Sequence, residues 1–169
     1  MELQSAINLA KNLMNQHGVN VPVDINSGKN VLAYVNFKKN IVTNKYDPTL
    51  ISISRYHIQL NDENEVKETI LHEIAHVLRG WEQKHAHDWR WRIIAKQIGC
   101  SGNRTADEKI TNFVQGRFQA KCPTCGKVYH RHRITKKLLH ANWRCIPCRT
   151  PIKFVGVNSD TNMLLPVMP

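Results

Sequence analysis

The sequence predicts an α+β domain followed by a small four-cysteine zinc ribbon. Three observations predict it. Apolar residues repeat at helical spacing over 2–16, shift to a strand-like period over 21–60, and return to helical spacing after 62. Two C-x-x-C pairs, Cys122/Cys125 and Cys145/Cys148, stand 19 residues apart in the last third. That same third has lost its acids: 11 of the 24 Lys and Arg residues lie between Lys109 and Ser159, and none of the 13 Asp and Glu. The remaining 13 basic residues match the 13 acids, so the whole net charge of +11 belongs to this segment. A chain of 169 residues, 41% of them hydrophobic, suits one compact domain plus a small module. The expected division is 1–105 for the α+β domain, 106–157 for the ribbon and 158–169 for a tail.

Each element follows from local pattern. Leu3, Ile7, Ala10 and Met14 mark an amphipathic helix that Gly18 stops. Val31 to Phe37 and Leu50 to Ser54 are rich in β-branched and aromatic residues, with turn signals at Asn26-Ser-Gly28 and Asp47-Pro48. About three short strands are expected there, forming an antiparallel sheet. Asp62, with Glu65 three residues on, has the form of a helix start. Val66, Ile70, Ile74 and Val77 then make one buried stripe, and Gly80 ends the helix. A further helix is expected from about His87 to Ile98, stopped by Gly99.

The middle helix carries His72-Glu-Ile-Ala-His76, an H-E-x-x-H sequence. Residues four apart stack on one helical face, so two imidazoles can grip one metal ion. Glu73 lies beside them, placed to take a proton from water. This is the minimal kit of a zinc peptidase. A catalytic zinc needs a third protein ligand, and His85 and His87 follow a short connection. The metzincin spacing is excluded, because Arg79 and Glu82 stand where it requires Gly and His. Candidates for stabilising an oxyanion are His87, Arg90 and Tyr56.

Leu71 to His76 followed by His85-Ala-His-Asp-Trp-Arg-Trp91 resembles the SprT-like metallopeptidases, whose signature is H-E-x-x-H, a variable loop, then H-G-x-x-W or H-G-x-x-F. The resemblance covers roughly residues 45–155. It implies a small zincin-like metalloprotease domain with an N-terminal helix, a three-stranded sheet and an active-site helix. It also implies His72, His76 and His85 as zinc ligands, Glu73 as general base and Trp89 as the aromatic partner of His85. Ala86 stands in place of the family Gly, which leaves His87 open as the third ligand. Cleavage of proteins bound or crosslinked to DNA, in repair or replication, is the function that the resemblance implies.

Four cysteines with this spacing close a tetrahedral structural zinc, and Gly126 suits the tight turn of a knuckle. Two zinc ions are therefore expected, one catalytic and one structural. Strands are expected within 115–121, 127–133 and 151–155. Lys127, Arg131, Arg133, Lys136, Lys137 and Arg144 can neutralise phosphates, and Trp143 can stack on an unpaired base. At least two of Phe118, Tyr129, Trp143 and Phe154 are expected in the ribbon core. Cys100 has no partner in the pattern and reads as a buried thiol.

The expected partners are DNA, bound without sequence preference, and proteins located on it. No apolar run of membrane length and no signal-peptide pattern occurs, so a cytoplasmic location is expected. Set against the long tail of the eukaryotic relatives, the resemblance implies a bacterial or phage type, and a monomer is expected. The alternative is a non-catalytic zinc-ribbon nucleic-acid-binding protein with a vestigial H-E-x-x-H. A repressor-cleaving protease would carry a helix-turn-helix segment, and none is evident.

Overall fold

The structure, a computed structural model, describes residues 1–81, 86–104, 116–135, 142–157 and 164–165. The chain divides into two compact units, Met1–Val114 and Gln115–Pro169. The expected boundary at 105/106 lies outside the described residues.

The first unit opens with α1 (Leu3–Gln16), which buries Ala6, Ala10, Leu13 and Met14 along one stripe. Three strands follow: β1 (Val23–Asn26), β2 (Ala33–Lys39) and β3 (Tyr46–Ser54). Their order is β1-β3-β2, with β3 central. β2 pairs antiparallel to β3, but β1 pairs parallel to it, so the sheet is mixed rather than antiparallel throughout. The cause is the 27–32 link, which carries the chain over the end of β3 instead of folding β2 back on β1. Ser54 N–H donates to Leu32 O at 2.8 Å, the Ser54 hydroxyl donates to Gly28 O, and Asn26 Nδ2 donates to Ser52 Oγ at 2.9 Å. These bonds explain how Ser52 and Ser54 can be as buried as Ile51 and Ile53. The Ile-Ser alternation resembles a half-solvated strand, yet both faces are covered.

β3 runs straight into α2 (Arg55–Leu60), a six-residue helix that the sequence pattern does not announce. It buries His57 and Ile58. α3 (Glu63–Arg79) begins as expected, with the Asp62 carboxylate accepting from Glu65 N–H at 2.9 Å, and ends at Gly80 with φ of +79°. Val66, Ile70, Leu71, Ile74 and Ala75 face the core with the α1 stripe and the β3 isoleucines. α4 (Trp89–Gln97) starts two residues later than expected, because Asp88 is its N-cap and accepts from Trp91 N–H at 2.9 Å. Glu68 Oε1 ties the chain after α4 to α3, accepting from Cys100 Sγ at 3.2 Å and Ser101 N–H at 2.8 Å.

The second unit is a four-stranded sheet in the order β5-β4-β6-β7. Its strands are β4 (Phe118–Lys121), β5 (Val128–Arg131), β6 (Val155–Val157) and β7 (Leu164–Leu165), all antiparallel to their neighbours. β7 lies within the stretch expected to be a tail. The core is small: Ala120, Cys122, Cys145 and Ile152 are buried, with Tyr129, Trp143 and Phe154 packed against them. So few apolar side chains cannot offset the entropy of ordering the chain, and a metal held by the cysteines would supply the difference. No helix among the described residues is long and apolar enough to cross a membrane.

Candidate metal centres

α3 presents His72 and His76 one turn apart, their Nε2 atoms 3.2 Å from each other. The chain leaves α3 at Gly80 and returns to bring His87 Nε2 to 2.9 Å from His72 Nε2 and 3.0 Å from His76 Nε2. The three nitrogens form a near-equilateral triangle. A neutral imidazole nitrogen either donates or accepts, so three in a triangle cannot satisfy all three edges by hydrogen bonding. A cation that takes all three lone pairs can. Zinc–nitrogen bonds of 2.0–2.1 Å in tetrahedral geometry place nitrogens about 3.3 Å apart, close to the observed spacing. Among the described residues three ligands gather there, which leaves one position of a tetrahedral site open, the arrangement of a catalytic rather than a structural site.

Burial pushes His72 down to about 4, with His87 adding to the effect. Burial likewise takes His76 down to about 3, helped by His72 and His87, and lowers His87, with Arg104 contributing. All three are thus neutral near pH 7, the form that ligates metal. Glu73 is buried at 7% exposure, and burial pushes its carboxyl up to about 8. A carboxyl so destabilised as an anion is a good proton acceptor, and a cation beside it would return it to the ionised state.

Among the described residues Trp91, 1% exposed, packs against the triangle, with ring centres 4.6, 5.3 and 4.7 Å from those of His72, His76 and His87. Trp89, expected as the aromatic partner of His85, is 65% exposed, with the Arg90 guanidinium over its ring. The H-x-x-x-W spacing read from His85 to Trp89 recurs from His87 to Trp91, and the described residues bring the second pair to the site. His85 itself lies outside the described residues. Tyr56, an oxyanion candidate, sits under Lys29 and does not line the cleft above the histidines. That cleft, about 320 Å³, is lined by Glu73 and the three histidines, with Tyr34, Val35, Phe37 and Trp81 among the other contributors. The strand residues were not identifiable as site residues from sequence, because their place depends on β2 being the sheet edge.

In the second unit the Sγ atoms of Cys122, Cys125, Cys145 and Cys148 all lie within 4.8 Å of one another. The contacts Cys122–Cys148, Cys125–Cys145 and Cys125–Cys148 measure 3.3, 3.5 and 3.7 Å. Tetrahedral zinc with 2.3 Å bonds spaces sulfurs about 3.8 Å apart, whereas a disulfide needs about 2.05 Å. The two C-x-x-C turns are near copies. Cys122 N–H donates to Lys127 O and Gly126 N–H to Cys122 O, as Cys145 N–H does to Thr150 O and Arg149 N–H to Cys145 O. Both turns need a left-handed residue, supplied by Gly126 at φ +71° and by Arg149 at φ +59°. The Thr150 hydroxyl and N–H hold Cys148 down to about 6 and the Cys125 N–H lowers Cys122, both favouring thiolate, whereas Cys125, against a lowering by the Lys127 N–H, is pushed up to about 12 by Cys145 and burial.

Of the basic candidates, Lys127, Arg131, Arg133 and Arg144 are exposed, while Lys136 and Lys137 lie outside the described residues. Trp143 is half-buried, edge-on to Phe154 at 5.2 Å, and the Arg131 guanidinium lies 4.5 Å over its ring. Tyr129, Trp143 and Phe154 all serve the small core, in line with expectation.

A buried acid between two helix-borne histidines, closed by a third from the following loop, defines a metallopeptidase-like domain. The chain belongs to the SprT-like family, whose family model matches residues 11–112. That span holds the histidine centre and stops short of the first cysteine of the second cluster. No curated protein and no solved structure matches the chain.

Proposed function

We propose that this protein is a zinc-dependent endopeptidase that acts on proteins located on DNA. The observation that carries the catalytic half is the placement of Glu73 in one cleft with His72, His76 and His87. When bound there, zinc supplies a Lewis acid that acidifies water and polarises the scissile carbonyl. The chain's own residues do the rest. The three imidazoles, kept neutral by burial, would hold the ion beside the cleft. Glu73 takes the proton of the attacking water and passes it to the departing amine. Trp91, itself buried, packs against all three rings and fixes their planes.

The second unit supplies the location. Its exposed Lys127, Arg131, Arg133 and Arg144 belong to a segment without a single acid, which suits contacts to phosphates irrespective of sequence. Trp143, braced by Phe154 and Arg131, orders that surface more than it offers a free stacking face. Holding DNA raises the local concentration of any protein on the same strand, so selectivity comes from co-localisation. The test is cleavage of a DNA-binding protein with and without its DNA, by wild type and Glu73→Gln. The reading requires DNA-stimulated cleavage that a zinc chelator and the substitution both abolish. Equal cleavage by Glu73→Gln would overturn it.

A further inference from the structure

The cleft beside the three histidines has one side built for apolar contact. β2 is an edge strand, and its Tyr34, Val35 and Phe37 line the cleft. Trp81, directly after the Gly80 that ends α3, completes the lining. Its indole stacks on Tyr46 with ring centres 5.1 Å apart and planes at 27°, and tilts against Phe37 at 5.4 Å and 55°. Trp81 nevertheless stays 45% exposed and Tyr46 40%. Three rings drawn from two strands and a helix end are thus held together without being covered. Such a fixed, half-wet aromatic surface at a cleft is a contact surface in waiting, since covering it releases water at little cost in ordering.

The lining is also selective by what it lacks. Apart from Glu73, no Asp, Glu, Lys or Arg side chain lines the described cleft. Among the described residues a charged substrate side chain finds no partner beside Trp81, Tyr34, Val35 and Phe37.

We infer that Trp81, held by Phe37 and Tyr46, is a specificity-determining residue that receives a large apolar or aromatic side chain of the peptide, next to the bond being cut. This rests on the peptidase reading above. Hydrophobic pockets discriminate by modest factors, so the expected preference is about 10- to 100-fold rather than absolute.

The test uses full-length, zinc-loaded protein with single-stranded DNA present, and quenched fluorescent peptides. Members of the set differ in one residue, Phe, Leu, Ser, Lys or Asp, at the positions flanking the cleavage point, which mass spectrometry locates. At one position, Phe and Leu should exceed Ser, Lys and Asp by about tenfold or more in kcat/KM. Trp81→Ala should reduce that ratio to below about threefold, and Trp81→Phe should retain most of it. Zinc content and thermal midpoint of each variant separate loss of selectivity from loss of fold. Cleavage by wild type with no apolar preference overturns this inference alone, as does full selectivity in a folded Trp81→Ala. Absence of cleavage of any peptide by wild type overturns the peptidase reading and this inference with it.

Discussion

Arg79 and Asp88 form a two-point ion pair, with Nε to Oδ1 at 3.3 Å and Nη2 to Oδ2 at 2.9 Å. Arg79 is the last residue of α3 and Asp88 the N-cap of α4, so the pair closes the loop that delivers His87. The two side chains keep only 12% and 19% of their exposure. Hydrogen bonds from Arg79, then from Trp91 N–H, hold the Asp88 carboxyl down to about 2. Asp88 therefore stays charged across the working pH range and fixes the start of α4, one residue after His87. Asp88→Asn keeps a good N-cap but weakens the fork. Zinc at the histidine centre should then be lost to a chelator at about 10-fold lower concentration. Competition titration measures this, and an unchanged titration would show that the loop holds His87 without the pair.

Glu73→Gln should keep the fold and the zinc content but lower kcat by at least about 100-fold, the usual scale for loss of a general base. Metal analysis beside a peptide-cleavage assay checks both halves of that statement.

His57 gives the first unit an acid-sensitive point outside the metal site. It is 2% exposed, with Nδ1 accepting from Asn61 Nδ2 at 3.1 Å and Nε2 2.9 Å from Thr69 Oγ1. Burial is the main cause of its lowered pKa. The unfolded chain, near the ordinary value of 6.5, then binds more protons than the folded one just below that pH. Stability from this group is present above pH 6.5 and lost as pH falls through and below it. Thermal midpoints between pH 7.5 and 5 should fall more steeply for wild type than for His57→Gln, compared with zinc saturating. Parallel curves would assign the acid loss to other groups.

Cysteine reactivity should separate two environments. Burial pushes the Cys100 thiol up to about 12, and Glu68 accepts from it. Iodoacetamide at pH 8 should leave the zinc-loaded protein largely unmodified. After chelation it should label Cys122, Cys125, Cys145 and Cys148 but spare Cys100 until denaturant is added. Early labelling of Cys100, read by peptide mass spectrometry, would contradict its placement.

Truncating the buried stripe should cost more than any of these. Ile74 is fully buried one residue from Glu73, and Ile74→Ala should lower stability by about 2–5 kcal/mol. Urea denaturation followed by circular dichroism gives the number.

Much of this was legible in the sequence because it is local. The α1 stripe, the Asp62 cap, the Gly80 stop and the two C-x-x-C turns each depend on residues within a few positions of one another. What failed to show depends on distant partners. A six-residue helix is too short to reveal a period, so α2 is hidden behind the strand pattern before it. The parallel pairing of β1 with β3 follows from bonds that Ser52 and Ser54 make 26 residues away in sequence. Two equal H-x-x-x-W spacings, from His85 and from His87, cannot be told apart without knowing where the loop returns. The Trp81–Tyr46–Phe37 cluster joins residues that no sequence window contains.

Metal content per chain decides the third ligand. Wild type should bind two zinc ions and Cys145→Ser one. His87→Ala should also fall to one, while His85→Ala keeps two. Two zincs in His87→Ala, with one lost from His85→Ala, would contradict the histidine centre described here.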